Sequence, residues 1–304
     1  MAAVHQLTSP SLRYFLEVAR CGSISEASLH LNVATSAISR QITGLEDLLG
    51  TPLFERRPRG MVLSAAGELL TVYARKVILE TDRVLGEIEA LEGLQKGQVT
   101  IATTEGFAME FLPNVISSYQ KLFPIIHFKL EVYPPIKVSE AIRNGDADIG
   151  IAFSLNPIAD IRVVHTQPAP IHAIVHPDHP LASKNRISIA QLLAYPIAIP
   201  YPNTTLRQLF DICVSQQQLT YEPALVSSYM SALNQFVING AGVSLSGEIS
   251  VRQLIKNGRM KAIPITDKAM GLRNIELQVL AGRTLPKAVQ SVLEFLINQL
   301  EPNR

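Results

Sequence analysis

The sequence of 304 residues predicts a multidomain chain: a helical amino-terminal head, one long helix, then an α/β region in two lobes. Three observations predict it. Apolar residues near the amino terminus recur at helical spacing, with turn residues between the runs. Residues 64–94 lack proline and carry a seven-residue apolar repeat, and from residue 97 onward strand-like runs alternate with helix-like ones. Length agrees, because a chain of this size suits about two or three ordinary domains.

Within the head, Leu12, Phe15, Leu16 and Ala19 give a short amphipathic helix that stops at Cys21-Gly22. Ser23 or Ser25 can cap a second helix with Ala27 and Leu31 on its inner face, and Asn32-Val33 form a tight connection. A third helix follows in ATSAISRQITGLEDLLG. Ile38, Ile42, Leu45 and Leu49 are expected to form its buried stripe, and Gly50 then Pro52 end it. Thr35, Ser36, Ser39, Arg40 and Thr43 occupy the opposite face. Short hydroxyls and one guanidinium can reach phosphates and base edges, so helix, short turn, helix reads as a DNA-binding unit whose last helix enters a major groove.

LFERRPRGMVLS then reads as two extended arms with Arg57, Pro58, Arg59 and Gly60 at the bend. Beside a helix-turn-helix, this is a wing whose arginines follow phosphates or enter a minor groove. The stretch from Ser64 to Leu94 allows one helix of about 45 Å. Leu70, Val77, Val84 and Leu91 recur every seventh residue, with Ala74, Thr81 and Ile88 between them, the pattern of a dimerising coiled-coil seam. A dimer would read two half-sites about one turn of DNA apart.

Beyond the glycines at 93 and 97, the runs QVTIAT, FLPNVISSYQKLF, HFKLEVY, VSEAIRNG and ADIGIAF alternate strand with helix. That rhythm predicts parallel strands with helical crossovers. A second such region begins near Ala173, with strands AIVH, PIAIP, PALVS and GVSLS; IELQVLAG and the last helix return to the first lobe. The expected domains are 1–62, 63–93 and 94–304. In the last, one lobe takes about 97–165 and 270–304, the other about 166–269.

Composition excludes several classes. Apolar residues make up 47% and charged residues 17%, a globular balance, and a net charge of +1 confines nucleic-acid binding to a local site. Cys21 and Cys213 are too far apart in sequence to suggest a disulfide framework. No basic-then-apolar leader and no long apolar run occurs, so a soluble, cytoplasmic protein without a membrane is expected. There is no HExxH, phosphate loop or GxSxG elbow, and an enzyme is not expected. His172, His176 and His179 alternate like a strand ending in a turn, while the turn of Gly240, Gly242 and Gly247 leads into a strand, so neither metal nor dinucleotide is expected.

LRYFLEVARCGSISEAS, AISRQITGLEDLLGTPLFER and LSAAGELL, with weaker echoes in NGDADIGIA and NGAGVSL, resemble the LysR-type transcriptional regulators over essentially the whole chain. The resemblance implies a winged helix-turn-helix, a dimerising linker helix and a periplasmic-binding-protein-like effector domain whose lobes enclose a small molecule. It also implies a double-stranded DNA operator as partner, homodimers assembling into homotetramers, and RNA polymerase as a further candidate partner. Thr35, Ser36, Ser39, Arg40, Arg57 and Arg59 match DNA-contact positions. The family usually has Gln-Pro at Thr35-Ser36. Thr35 lacks a long amide for adenine, which leaves helix capping or a thymine methyl as its role.

Strand ends that run into helix starts suit anions. Thr103, Thr104, Glu105 and Phe107 follow one such strand; Tyr201, Asn203 and Thr204 follow another, and both stretches match the family's cleft positions. Tyr133, Phe153, Tyr229 and Ser246 extend the set. Hydroxyls for a carboxylate and aromatics for a ring point to an aromatic or apolar organic acid, with Glu105 as the discordant charge.

Overall fold

In the computed structural model, residues 8–57, 60–91, 97–155 and 160–300 are described. They fall into two compact units. One runs to Leu91 and adds Gly282–Pro286; the other comprises 97–281 and 287–300.

The first unit is built on α1 (Pro10–Cys21), α2 (Ile24–Leu31) and α3 (Thr35–Leu49). Ser23 caps α2 by accepting the Glu26 N–H, so of the two candidate serines it is the earlier that acts. Phe15, Val18, Ala27, Ile38, Ile42, Leu53 and Phe54 form the core, with the Phe15 and Phe54 rings 5.3 Å apart. Leu45 packs at its margin, but Leu49 is 48% exposed, so the buried stripe of α3 is one turn shorter than expected. The last turn outruns its partner helices and is tied down through Glu46, whose carboxylate accepts the Leu53 N–H at 2.7 Å. Gly50 ends the helix at φ +66°.

Strands β1 (Phe54–Arg57) and β2 (Gly60–Leu63) are the two expected arms; they pair antiparallel with Arg57 opposite Gly60, so these two residues end the strands. Ser64 then caps α4 (Ala65–Leu91), a single helix of 27 residues. Its seam differs from the expectation at the first heptad: Leu70 packs against the head core and Ala74 is fully buried, so this turn anchors the helix to its own head. Farther along, Val77 is half-buried, while Val84 and Ile88 are 38% and 48% exposed. Leu91 ends the helix, and its side chain lies outside the described residues.

The second unit holds two five-stranded sheets. In chain order the elements of the first lobe are β3 (Gly97–Thr103), α5 (Glu105–Ala108), α6 (Phe111–Leu122), β4 (Ile126–Val132), α7 (Pro135–Asn144), β5 (Ile149–Ser154) and β6 (Ile161–Pro168). The second lobe has β7 (Ile171–Val175), α8 (Ile189–Leu192), β8 (Ile197–Pro200), α9 (Thr205–Gln216), β9 (Leu225–Ser227), α10 (Met230–Ile238), β10 (Val243–Gly247), α11 (Arg252–Lys256) and β11 (Lys261–Pro264). The chain then returns through β12 (Asn274–Leu280) and α12 (Lys287–Leu300). The orders are β4-β3-β5-β12-β6 and β11-β7-β10-β8-β9.

The sheets are mixed, which corrects the expectation of parallel ones. β3 is parallel to β4 and β5, and β8 to β9 and β10, but β12 is antiparallel to β5 and β6, and β7 to β10 and β11. The reversals arise where the chain switches sheets, from β6 to β7 and from β11 to β12, without a helical crossover to turn it round. Central strands are largely buried, as in IGIAFS of β5 and VSLSG of β10, where every residue is buried. Among the described residues, no helix is long and apolar enough to cross a membrane.

Candidate nucleic-acid interface and interlobe site

On α3, Thr35, Ser36, Arg40 and Thr43 are exposed and Ser39 is half-buried; Ser36, Arg40 and Thr43 lie away from buried Ile38 and Ile42, while Thr35 and Ser39 flank them. Ala34 is the N-cap residue and no side chain caps the helix, which corrects the capping role offered to Thr35: its hydroxyl is free of that duty. Ser11 donates to the Gln41 side chain at 2.6 Å, which fixes α3 against α1. Arg57 is exposed and pairs with Glu55 at 2.8 Å, so part of the wing's charge is engaged at home. Arg59 lies outside the described residues.

In the second unit, strand direction gathers the predicted residues at one edge. Parallel β3, β4 and β5 deliver Thr103, Tyr133 and Ser154 to the same end of the first sheet. Parallel β8, β9 and β10 deliver Tyr201, Tyr229 and Gly247 to one end of the second. The chain passes between lobes at Ala169 and Pro170 and returns over 265–273.

Several predicted residues have structural work there. Thr103 is fully buried and donates to the Ile151 carbonyl at 3.0 Å. Phe107 is fully buried and stacks on Phe153 at 4.4 Å between centroids, so it fills the core and lines no cleft. Thr204 caps α9 by accepting the Arg207 N–H at 3.2 Å. Ser246 is buried in β10 with its hydroxyl on the Gly247 carbonyl. Tyr133 is half-buried beside Ala102 and Val138, and burial raises its pKa. Thr104, Tyr201, Asn203 and Tyr229 remain: Thr104 Oγ1 is buried without a partner among the described residues, and the other three are exposed.

Glu105 resolves its own discordance. Its carboxylate crosses to the second lobe and accepts the N–H groups of Met230 at 2.9 Å and Ser231 at 3.4 Å, at the positive end of α10. Glu110 does the same with the Gln253 N–H at 2.9 Å. The lobes also touch through Gly106, where a Cβ would come within 2.6 Å of Ser250 Oγ. The starts of α10 and α11 are thus occupied by carboxylates of the chain itself, whereas the two starts singled out in the sequence are those of α5 and α9.

The residue that sequence reasoning missed is Arg273, just before β12. It is 2% exposed; its guanidinium lies 3.9 Å over the Phe153 ring and Nε donates to the Ala169 carbonyl at 3.2 Å. Nη2 has no hydrogen-bond partner among the described residues, and burial draws the pKa down to about 9. Gly247 makes room for it, because a Cβ there would fall 2.6 Å from Nη2. His172, at the start of β7, is half-buried with Nδ1 unpartnered among the described residues, and burial lowers its pKa against the pull of Glu248. His176 and His179 each accept a local N–H group, from Asp178 and Leu181, apart from His172 in β7.

A helix-turn-helix with an exposed polar face, followed by a long helix and a pair of α/β lobes, is the architecture of a transcription regulator of the ligand-sensing kind. The family models for the lysR-family bacterial regulatory helix-turn-helix protein and for the LysR substrate binding domain match residues 10–68 and 92–301. The chain belongs to the LysR family of transcriptional regulators, whose members bind DNA and small-molecule effectors as oligomers and are not enzymes. It is 30% identical to the transcriptional dual regulator GltC of Bacillus subtilis over 94% of this chain and 95% of that one. Its fold matches a full-length OxyR variant of Pseudomonas aeruginosa with a TM-score of 0.67, at 19% identity over 95% and 93% of the two chains. The regulatory domain of Synechocystis CcmR in complex with 2-PG matches with a TM-score of 0.56, at 20% identity over 67% of this chain and 97% of that one.

Proposed function

We propose that this regulator senses a small organic acid held between its lobes on Arg273, and that occupancy changes how it engages a double-stranded operator. The observation that carries the reading is the buried guanidinium with an unpartnered Nη2 at the interlobe passage. A buried cation without a counter-charge is costly, and an incoming carboxylate relieves that cost with charge-assisted hydrogen bonds. Thr104 and the exposed rings of Tyr201 and Tyr229 stand at the same strand ends and suit the remainder of an aromatic or apolar acid. The 2-PG complex of CcmR supports a small molecule in this architecture.

On DNA, Thr35, Ser36, Ser39, Arg40 and Thr43 read the major groove, with the wing arginines on phosphates. Val77, Val84 and Ile88 of α4 offer the seam for a homodimer in the cytoplasm, the unit from which a tetramer and contact with RNA polymerase follow.

Calorimetry on the full chain tests the effector class, with a panel of small carboxylates set against their neutral amides. A carboxylate is expected to bind, and Arg273→Met to weaken it by roughly 30-fold or more. Melting of Arg273→Met should show no loss of stability, because an unpaired buried charge has been removed. Binding of the amides but not the acids, or undiminished binding by Arg273→Met, would sink the assignment.

A further inference from the structure

Away from both sites, α1 and α2 bring together three side chains of a kind that binds metal. Glu17 and Cys21 stand one helical turn apart on α1, and His30 reaches them from the last turn of α2. His30 Nδ1 lies 2.8 Å from Glu17 Oε1 and 3.4 Å from Cys21 Sγ, and Sγ lies 3.3 Å from Oε1. Tetrahedral zinc with bonds of about 2.0–2.3 Å separates its ligand atoms by about 3.3–3.6 Å. The three atoms are close to that spacing already.

The hydrogen bonding in the cluster is frustrated. Arg20 bonds Glu17 and also places Nη2 2.5 Å from His30 Nδ1, which must offer a lone pair to accept that N–H. Glu17 Oε1, on the other side, needs a proton on the same nitrogen. One nitrogen cannot meet both demands in either tautomer. A cation that takes lone pairs from nitrogen, oxygen and sulfur together meets all three, and the exposed Arg20 side chain can swing into solvent.

We propose that Glu17, Cys21 and His30 form a Zn2+ site in the DNA-binding head, with the guanidinium of Arg20 as the competing occupant and water as fourth ligand. One carboxylate, one imidazole and one thiolate suit a borderline-soft divalent ion. Binding forms the Zn–S, Zn–N and Zn–O bonds and releases the Cys21 thiol proton to solvent, with no change of oxidation state. The ion would tie the first helix of the helix-turn-helix to the helix before it.

Co2+ added to the reduced full-length protein, as a spectroscopic stand-in, tests this. The expected result is a near-ultraviolet thiolate-to-cobalt charge-transfer band with visible bands of tetrahedral cobalt, bleached by Zn2+. Cys21→Ser should abolish the charge-transfer band and His30→Ala weaken Co2+ binding at least about tenfold. Arg20→Ala should tighten Co2+ binding severalfold, a gain that misfolding cannot produce. Absence of the band in the unaltered protein, its survival in Cys21→Ser (which would place it on the buried Cys213), or no gain in Arg20→Ala would each overturn the site.

Discussion

Arg40 on the recognition helix stands in solvent, whereas Arg273 between the lobes is buried with no carboxylate paired to it among the described residues. In the proposed function the first meets a partner that carries a charge at every step along its length, so its contribution would be one among many and screened by salt. The second is already desolvated, so the single anion proposed for it would meet it in a low-dielectric setting where each contact counts for more. On the proposed function, the same residue type would give distributed, salt-sensitive recognition in the head and point-like recognition between the lobes.

Three substitutions would break or sharpen that contrast. Arg40→Ala has the largest expected effect, about 1–3 kcal/mol of operator affinity with relaxed sequence preference; an unchanged gel-shift midpoint and footprint would remove Arg40 from the interface. Glu105→Gln comes next. It weakens the charge that holds α10 to the first lobe by about 1 kcal/mol, and since the lobes touch in this structure, calorimetry should show effector affinity rising roughly fivefold. A fall in affinity would mean that the Glu105 contact belongs to the bound state. Arg57→Ala is the smallest: the slope of log affinity against log salt should shrink by about one, and by less to the extent that Glu55 already neutralises the guanidinium.

The head was legible because helical period alone separates its faces. Ile38 and Ile42 are buried and Ser36, Arg40 and Thr43 exposed as the spacing of α3 dictates. The period could not show where the neighbouring helices stop, and there Leu49 emerges into solvent. In α4 a regular heptad concealed two surroundings, the head core at Leu70 and solvent at Ile88. Between the lobes the strand ends were legible and the work of the residues on them less so. Strand ends were correctly placed, yet Thr103 and Phe107 serve packing and Glu105 a cross-lobe bond, all decided by tertiary partners.

Arg273 left little trace in the sequence, since a lone arginine before IELQVL reads as the polar margin of a strand. Its burial depends on Phe153 and Gly247, which are remote in sequence. His30 is near Glu17 and Cys21 in sequence but on the next helix, and only the packing of α2 on α1 brings them together. The strand β6 also carries no clear alternation, because its burial is irregular along the outer edge of the first sheet.

The second lobe is entered by β7 and left by β11, which lie side by side with His172 opposite Pro264. In engineering terms it is a cassette with both splice points on neighbouring strands. Exchanging residues 171–264 for the corresponding stretch of another regulator would alter what the protein listens to while leaving the first lobe, its Arg273 and the reading head with their own sequences.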